Sequence, residues 1–351
     1  MQKGKTLNRK DIIDRIESGI VIREELIYLL ENYEEAFDYA REKARKIALE
    51  HFGNKIYIRG LIEISSYCKN DCYYCGLRCS NKNAQRYRLT KEDILLSCKI
   101  GYDLGFKTFV LQGGEDNHFT DELVCDIVKK IKSQYPDTAV TLSLGEKEKS
   151  SYEKYRNAGA DRYLLRHETS DKEHYKKLHP EKMSIDNRKK CLENLKALGY
   201  QTGCGIMVGS PYQTIENIAD DLIYIHDFSP QMVGIGPFIP HKDTPFANEK
   251  TGNVKLTLFL LSIIRIMEKK VLLPATTALS TADENGREEG ILSGANVIMP
   301  NLSPVDVRKK YMLYDNKLCT DEEAAESINK LKERIKSVGY EIVTDRGDYR
   351  G

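Results

Sequence analysis

Residues 55–75 read KIYIRGLIEISSYCKNDCYYC. An apolar, β-branched run over 57–66 predicts a strand, and it empties into a polar loop that carries three cysteines in eight residues. Working outward, runs of the same kind predict strands over 108–113, 139–144, 162–167, 203–208, 232–238, 272–277 and 295–299. Each is bounded by Gly, Pro, Asn or Asp. Between them, apolar residues recur at three- and four-residue steps, which predicts helices over 91–104, 120–135, 148–158, 184–198, 214–228 and 254–270. Thr90 with Asp93 three residues later opens the first of these as a capping box.

Strand and helix in alternation imply a parallel sheet, because parallel neighbours need crossover helices. Eight such units predict an α/β fold of the complete (β/α)₈ TIM-barrel type. A doubly wound sheet fits less well, since no G-x-G-x-x-G follows the first strand. Residues 8–52 and 322–339 read as helical, so the expected layout has three parts: an N-terminal helical extension over 1–54, the barrel over 55–305 and a C-terminal extension over 306–351 closing it. Barrel enzymes work at the C-terminal ends of their strands. Those ends are rich in polar and glycine residues here, among them Ser65, Gln112, Gly114, Ser143, Arg166, Glu168, Thr276 and Thr277.

Composition narrows the class further. The 351 residues carry 54 basic and 53 acidic side chains, and 40% are hydrophobic. That is enough apolar surface for a core, and the near-zero net charge argues against a nucleic acid or a membrane as partner. The stretch from Met1 to Lys10 is basic with no apolar run behind it, so no signal peptide is expected. A cytoplasmic location follows as the expectation. In a reducing compartment, Cys68, Cys72, Cys75 and Cys79 read as a metal site rather than a disulfide framework, while the other five of the nine cysteines are scattered.

Two metal centres compete for the cluster. Zinc could take Cys79 as a fourth ligand, yet structural zinc usually draws two ligand pairs from separate knuckles. An iron–sulfur cube held by three cysteines leaves one iron open for a substrate or cofactor. The spacing C-x₃-C-x₂-C, with the aromatic Tyr74 before the last cysteine, resembles the signature of radical S-adenosylmethionine (SAM) enzymes. In these enzymes the amino and carboxylate groups of SAM chelate the open iron, and reduction cleaves the sulfonium to methionine and a 5′-deoxyadenosyl radical. Gln112-Gly113-Gly114-Glu115 resembles the glycine-rich turn that meets the SAM ammonium.

Further blocks make the likeness specific: Cys75-Gly76-Leu77-Arg78, Thr141-Leu142-Ser143-Leu144-Gly145-Glu146, the run from Gly159 to Thr169, the run from Val233 to His241, and Pro274-Ala275-Thr276-Thr277-Ala278. Over about residues 10–320 the chain resembles the HydE family of FeFe-hydrogenase maturases, relatives of biotin synthase and methylornithine synthase. The resemblance implies one 4Fe–4S cluster on Cys68, Cys72 and Cys75, with SAM held by Tyr74, Gln112, Gly114, Ser143, Glu168, Arg188 and Ile239. It implies an anion-binding interior lined by Arg59, Thr141, Arg166, Thr276, Thr277, Tyr311 and Tyr314. No side chain is expected to perform the chemistry alone. The implied substrate is a small cysteine-ligated iron carbonyl/cyanide complex, and the implied partners are other hydrogenase maturases and a protein reductant.

Physical reasoning bears on the interior. An arginine inside a barrel needs an anion, because an unpaired buried charge is very costly. Arg59 and Arg166 lie on strands, and either a ligand or the carboxylates of Glu63 and Glu168 would answer them. Some family members carry extra C-terminal cysteines for a second cluster. Cys319 matches the first of those positions, but 321–351 hold no cysteine, so no second cluster is expected. Two other readings stay open: sulfur insertion or a mutase reaction like those of biotin synthase and methylornithine synthase, and a non-enzymatic iron–sulfur carrier. The carrier leaves the Gln112–Glu115 turn and Glu168 without a purpose.

Overall fold

The computed structural model describes residues 8–318 and 324–351. Three helices, Arg9–Glu17, Arg23–Glu31 and Tyr33–Phe52, precede the first strand. The Asn8 side chain accepts from the Asp11 amide and Asp11 answers the Asn8 amide, closing the first helix by a capping box. The third helix buries Ala36, Phe37, Ala40, Ala44, Ile47 and Ala48 along one stripe against the helix Val254–Met267. That second helix is apolar nearly all round and buried over most of its length, as a helix sandwiched between layers must be. Its fully buried cation, Arg265, is satisfied internally. It donates to the Gly294 and Lys269 carbonyls (2.9 and 2.8 Å) and to Asn296 Oδ1 (3.2 Å).

The strands are β1 (Lys55–Ile58), β2 (Gly60–Ser65), β3 (Thr108–Gly113), β4 (Ala139–Ser143), β5 (Arg162–Leu164), β6 (Gln201–Cys204), β7 (Met207–Val208), β8 (Met232–Val233), β9 (Gly236–Pro237), β10 (Val297–Ile298) and β11 (Glu341–Val343). Six of them form one parallel sheet in the order β2-β3-β4-β5-β6-β8, with Val110 opposite Leu61 and Thr141, and Arg162 opposite Thr141 and Gln201. Parallel bridges continue past its edges. Met232 pairs with Leu272, Pro274 with Val297, and Leu61 with Asn301, while β10 pairs with β1.

The structure divides several strands that the sequence presents whole. The 57–66 strand splits at Arg59 because its two halves have different neighbours on one side, β11 for β1 and β3 for β2. On the other side it stays continuous, with the amides of Tyr57, Arg59 and Leu61 donating to Asn296, Ile298 and Pro300. The 203–208 and 232–238 strands both kink midway. A Cβ on Gly205 (φ +155°) would lie 1.9 Å from the Gly234 carbonyl oxygen, so glycine there lets the two strands bend together. The 272–277 strand ends early and is a correction. Pro274 offers no N–H, backbone pairing stops at Ala275, and Thr277 opens the helix Thr277–Ala282. A short helix, Lys172–Leu178, joins those foreseen.

The C-terminal residues meet both ends of the strands. At the C-terminal end, Leu313 accepts from the Gly76 amide, Asp315 donates its amide to the Pro240 carbonyl, and Lys317 is buried against Glu63. At the N-terminal end, Arg162 donates to the Arg346 carbonyl (2.8 Å) and pairs with Asp348 (2.6 Å). Cys319, whose family counterpart begins a second cluster motif, lies outside the described residues.

Candidate active site

The loop after β2 has no regular secondary structure, so side chains hold it. Asp71 takes Arg78 through two bonds of 2.7 Å and also accepts from Ser80. These partners, Arg78 first, hold the Asp71 carboxyl well below the ordinary range. Arg86 donates to the carbonyls of Ser66, Leu77, Arg78 and Asn81. Gly114, just past β3, presses on this loop. A Cβ there would lie 2.2 Å from the Tyr67 carbonyl oxygen and 2.8 Å from Cys68 Cβ.

Cys68, Cys72 and Cys75 reach one cavity of about 290 Å³ at the C-terminal end of the strands. Tyr74, Gln112, Gly114, Ser143, Arg166, Glu168, Arg188, Ile239, Tyr311 and Tyr314 share its wall. Cys79 is exposed and does not. Burial raises all three thiols, that of Cys75 to about 12, and at Cys72 and Cys75 the neighbouring cysteines add to the shift. Iron must therefore displace protons from them on binding. Among the described residues no three Cys, His, Asp or Glu side chains close on one point as a single ion requires. Three thiols on the wall of one cavity, with room beside them for a small molecule, suit a cluster that keeps one iron open.

Strand ends supply the opposite wall. Gln112 Nε2 lies 3.4 Å from the Tyr311 hydroxyl. Glu168 takes a left-handed conformation (φ 66°), uncommon for a residue with a Cβ and typical of strained functional positions. Its carboxylate lies 3.0 Å from Arg166 Nη2. Arg188 donates to Glu146 Oε1 and, at 2.7 Å, to the Arg166 carbonyl. Burial alone would weaken the Arg188 cation, but Tyr175 and Glu146 beside it hold its pKa well above the ordinary value.

Arg59, Thr141, Thr276 and Thr277 are not on this wall. Arg59 is only 5% exposed, and its one recorded bond is Nη1 to Met232 Sδ at 3.1 Å. Its Nε and Nη2, together with Thr141 Oγ1 and Thr276 Oγ1, are buried without a hydrogen-bond partner. Burial, with Arg162 adding, pushes the Arg59 pKa well below its ordinary value. Of the two carboxylates the sequence offered to the arginines, Glu168 does answer Arg166, whereas Glu63 is taken by Lys317, so neither serves Arg59.

The sequence reading missed three neighbours of the site. His179 stands against Tyr74, Glu146 pairs with Arg188, and Met183 Sδ lies 3.9 Å from Cys72 Sγ. Glu146 stands within one of the family-like blocks, which was a usable signal. His179 and Met183 had none, because each meets the loop across more than a hundred residues.

Residues 62–225 match the radical SAM superfamily. Over 339 residues the chain is 44% identical to the FeFe-hydrogenase maturase subunit HydE of Thermotoga maritima, covering 96% of this chain and 97% of that one. It is 30% identical to the 3-methylornithine synthase of Methanosarcina acetivorans, over 85% of this chain and 83% of that one. Among solved structures, methylornithine synthase (PylB) superposes with a TM-score of 0.83 at 28% identity, covering 95% of this chain and 97% of that one.

Proposed function

Since this chain belongs to the radical SAM superfamily and, within it, to the HydE family of FeFe-hydrogenase maturases, we propose that it acts on a small cysteine-ligated iron carbonyl/cyanide precursor of the hydrogenase diiron site. The bound cluster and SAM supply a 5′-deoxyadenosyl radical after one-electron reduction. The observation that carries the substrate class is Arg59. A buried guanidinium whose Nε and Nη2 lack partners asks for an anion, and its planar fork suits a carboxylate or a cyanide-bearing ligand set.

In this reading Cys68, Cys72 and Cys75 hold the cluster, and no second cluster is present. Gln112, Gly114 and Ser143 receive the SAM ammonium side, with the Gly114 backbone close to the cluster loop. Glu168 meets the ribose hydroxyls or amino group, Arg188 orients the carboxylate, and Tyr74 and Ile239 border the adenosine. Arg59, Thr141, Arg166, Thr276, Thr277, Tyr311 and Tyr314 line the path of the anion. The bridges Met232–Leu272, Pro274–Val297 and Leu61–Asn301 support closure of the sheet into a complete eight-stranded barrel over 55–305. The helices of 1–54 and the end-capping contacts of 306–351 support their reading as extensions of one domain. Other hydrogenase maturases and a protein reductant are the expected partners. A cytoplasmic location is supported by eight described cysteines that are all free.

Sulfur insertion is less well supported. Cys98, Cys125 and Cys191 sit on outer helices, and the charged neighbours of buried Cys204 lie on helices (Asp221 and Lys196) or just past the end of one (Glu268).

Anaerobic reconstitution followed by dithionite reduction with SAM tests the enzyme. About four irons per chain and release of 5′-deoxyadenosine are expected, and Cys72→Ala abolishes both. A count near eight irons would overturn the single cluster. Hydrogenase activation that proceeds equally well without this chain, in a defined maturation mixture, would overturn the substrate.

A further inference from the structure

Reductive cleavage of SAM consumes one electron per turnover, and that electron has to enter from the surface. Beside the thiol cavity lies a second cleft of about 1080 Å³, and the two share Asn70 and Glu115 as walls. Lys69, Lys147, Lys149, Lys182 and Lys190 line it, all exposed except the half-buried Lys147.

Four carboxylates line the cleft as well; Glu148 is exposed, and the other three are occupied. Glu115 lies 3.3 Å from Lys69 and accepts from the Glu146 amide, Glu146 binds Arg188 and Asn187, and Asp121 binds Lys154, Ser151 and Tyr155. Lys149, Lys182 and Lys190 have no carboxylate within ion-pair distance among the described residues. Five lysines against four carboxylates leave the lining an excess of positive charge, to which Arg188 and Lys154 add by offsetting Glu146 and Asp121.

Its inner edge touches the cluster loop twice. Lys182 Nζ donates to the Lys69 carbonyl at 3.5 Å, and Met183, which lines the cleft, is in van der Waals contact with Cys72 Sγ at 3.9 Å. The lysines thus line the same cleft as the side chain that lies against Cys72.

We propose that this cleft docks a small acidic one-electron carrier protein, whose electron reaches the cluster across Met183 and Cys72. The proposal rests on the cluster reading above and adds the partner's chemistry and its landing site. In the step the carrier is oxidised by one electron and the 4Fe–4S group is reduced by one, with no bond made and no proton moved. Opposite charge speeds encounter and orients it, and redox encounters typically use small, transient interfaces.

The test uses the reconstituted full chain with an acidic flavodoxin as the probe, and compares the wild type with the triple variants Lys149→Glu/Lys182→Glu/Lys190→Glu and Lys149→Gln/Lys182→Gln/Lys190→Gln. Carbodiimide cross-linking with peptide mapping should join flavodoxin carboxylates to Lys149, Lys182 or Lys190. Charge reversal should weaken flavodoxin binding, measured by calorimetry, by about tenfold or more, and the neutral variant by less. Flavodoxin-driven deoxyadenosine formation should slow in parallel while the dithionite-driven rate is kept, which also shows that the variants fold and carry a cluster. Unchanged flavodoxin affinity, cross-links confined to another face, or loss of sulfate binding alone (a small-anion site) would each overturn the docking face. Failure of dithionite-driven cleavage in the wild-type chain would instead overturn the cluster reading, and this proposal with it.

Discussion

The Tyr74 hydroxyl donates to Nε2 of His179 at 3.1 Å. The direction follows from the other ring nitrogen. Nδ1 lies 3.0 Å from the Tyr175 carbonyl, which can only accept, so Nδ1 carries the proton and Nε2 receives. The His179 ring stacks on Tyr175 at 3.9 Å between centroids and clamps the aromatic of the cysteine loop to the helix Lys172–Leu178 and the residue after it.

Burial, with Arg188 adding, lowers the His179 pKa from 6.5 to about 3. The folded chain refuses a proton that the unfolded chain accepts below pH 6.5, so this contribution is complete above that pH and erodes as pH falls toward 3. Between pH 7.5 and 5.5 the wild type should lose about 1 kcal/mol more stability than His179→Gln. Denaturant midpoints at the two pH values check this, and equal losses would contradict it.

Gly114→Ala places a methyl against the Tyr67 carbonyl and Cys68, both fixed by the loop's own bonds. The expected outcome is a folded chain with circular dichroism like that of the wild type but a severalfold lower iron content after reconstitution. Full iron loading would show that the loop yields.

Replacing Arg59 by Met removes a buried cation that has no carboxylate partner. The substitution should stabilise the ligand-free chain by about 1 kcal/mol or more, because an unpaired charge no longer has to be desolvated. It should also abolish any rise in Tm on adding thiocyanate or cyanide. Thermal unfolding with and without these anions measures both effects.

Glu63 and Lys317 form a pair with side chains 1% and 5% exposed, supported by Asn301 and the Tyr311 carbonyl. Lys317→Met leaves the Glu63 carboxylate buried without its cation and should cost about 3–5 kcal/mol. Glu63→Leu combined with Lys317→Met should recover much of that loss. Urea denaturation of the two variants distinguishes a buried pair from a surface one.

The alternation of strand and helix was legible from residue 55 onward because burying a parallel strand on both faces demands a continuous apolar run, and such runs stand out against amphipathic helices. The three cysteines were legible for a similar reason, since their chemistry depends on spacing within one loop. The division of the first strand at Arg59 was not, because it arises from β11, nearly three hundred residues away, taking the lower half of one edge. Nor was the early end of the 272–277 strand, where pairing partners decide how far an extended segment continues.

The sequence by itself thus determined the local chemistry: the parallel α/β pattern, the cysteine loop and the polar strand ends. Only the tertiary structure decided which charges are paired. It gave Glu168 to Arg166 and Glu63 to Lys317, left two Arg59 nitrogens without a partner, and set His179 against Tyr74 and Met183 against Cys72. Spacing along a chain sets which residues can act within one turn or loop. Desolvation and pairing depend on neighbours that arrive from distant segments, and these exist only once the chain has folded.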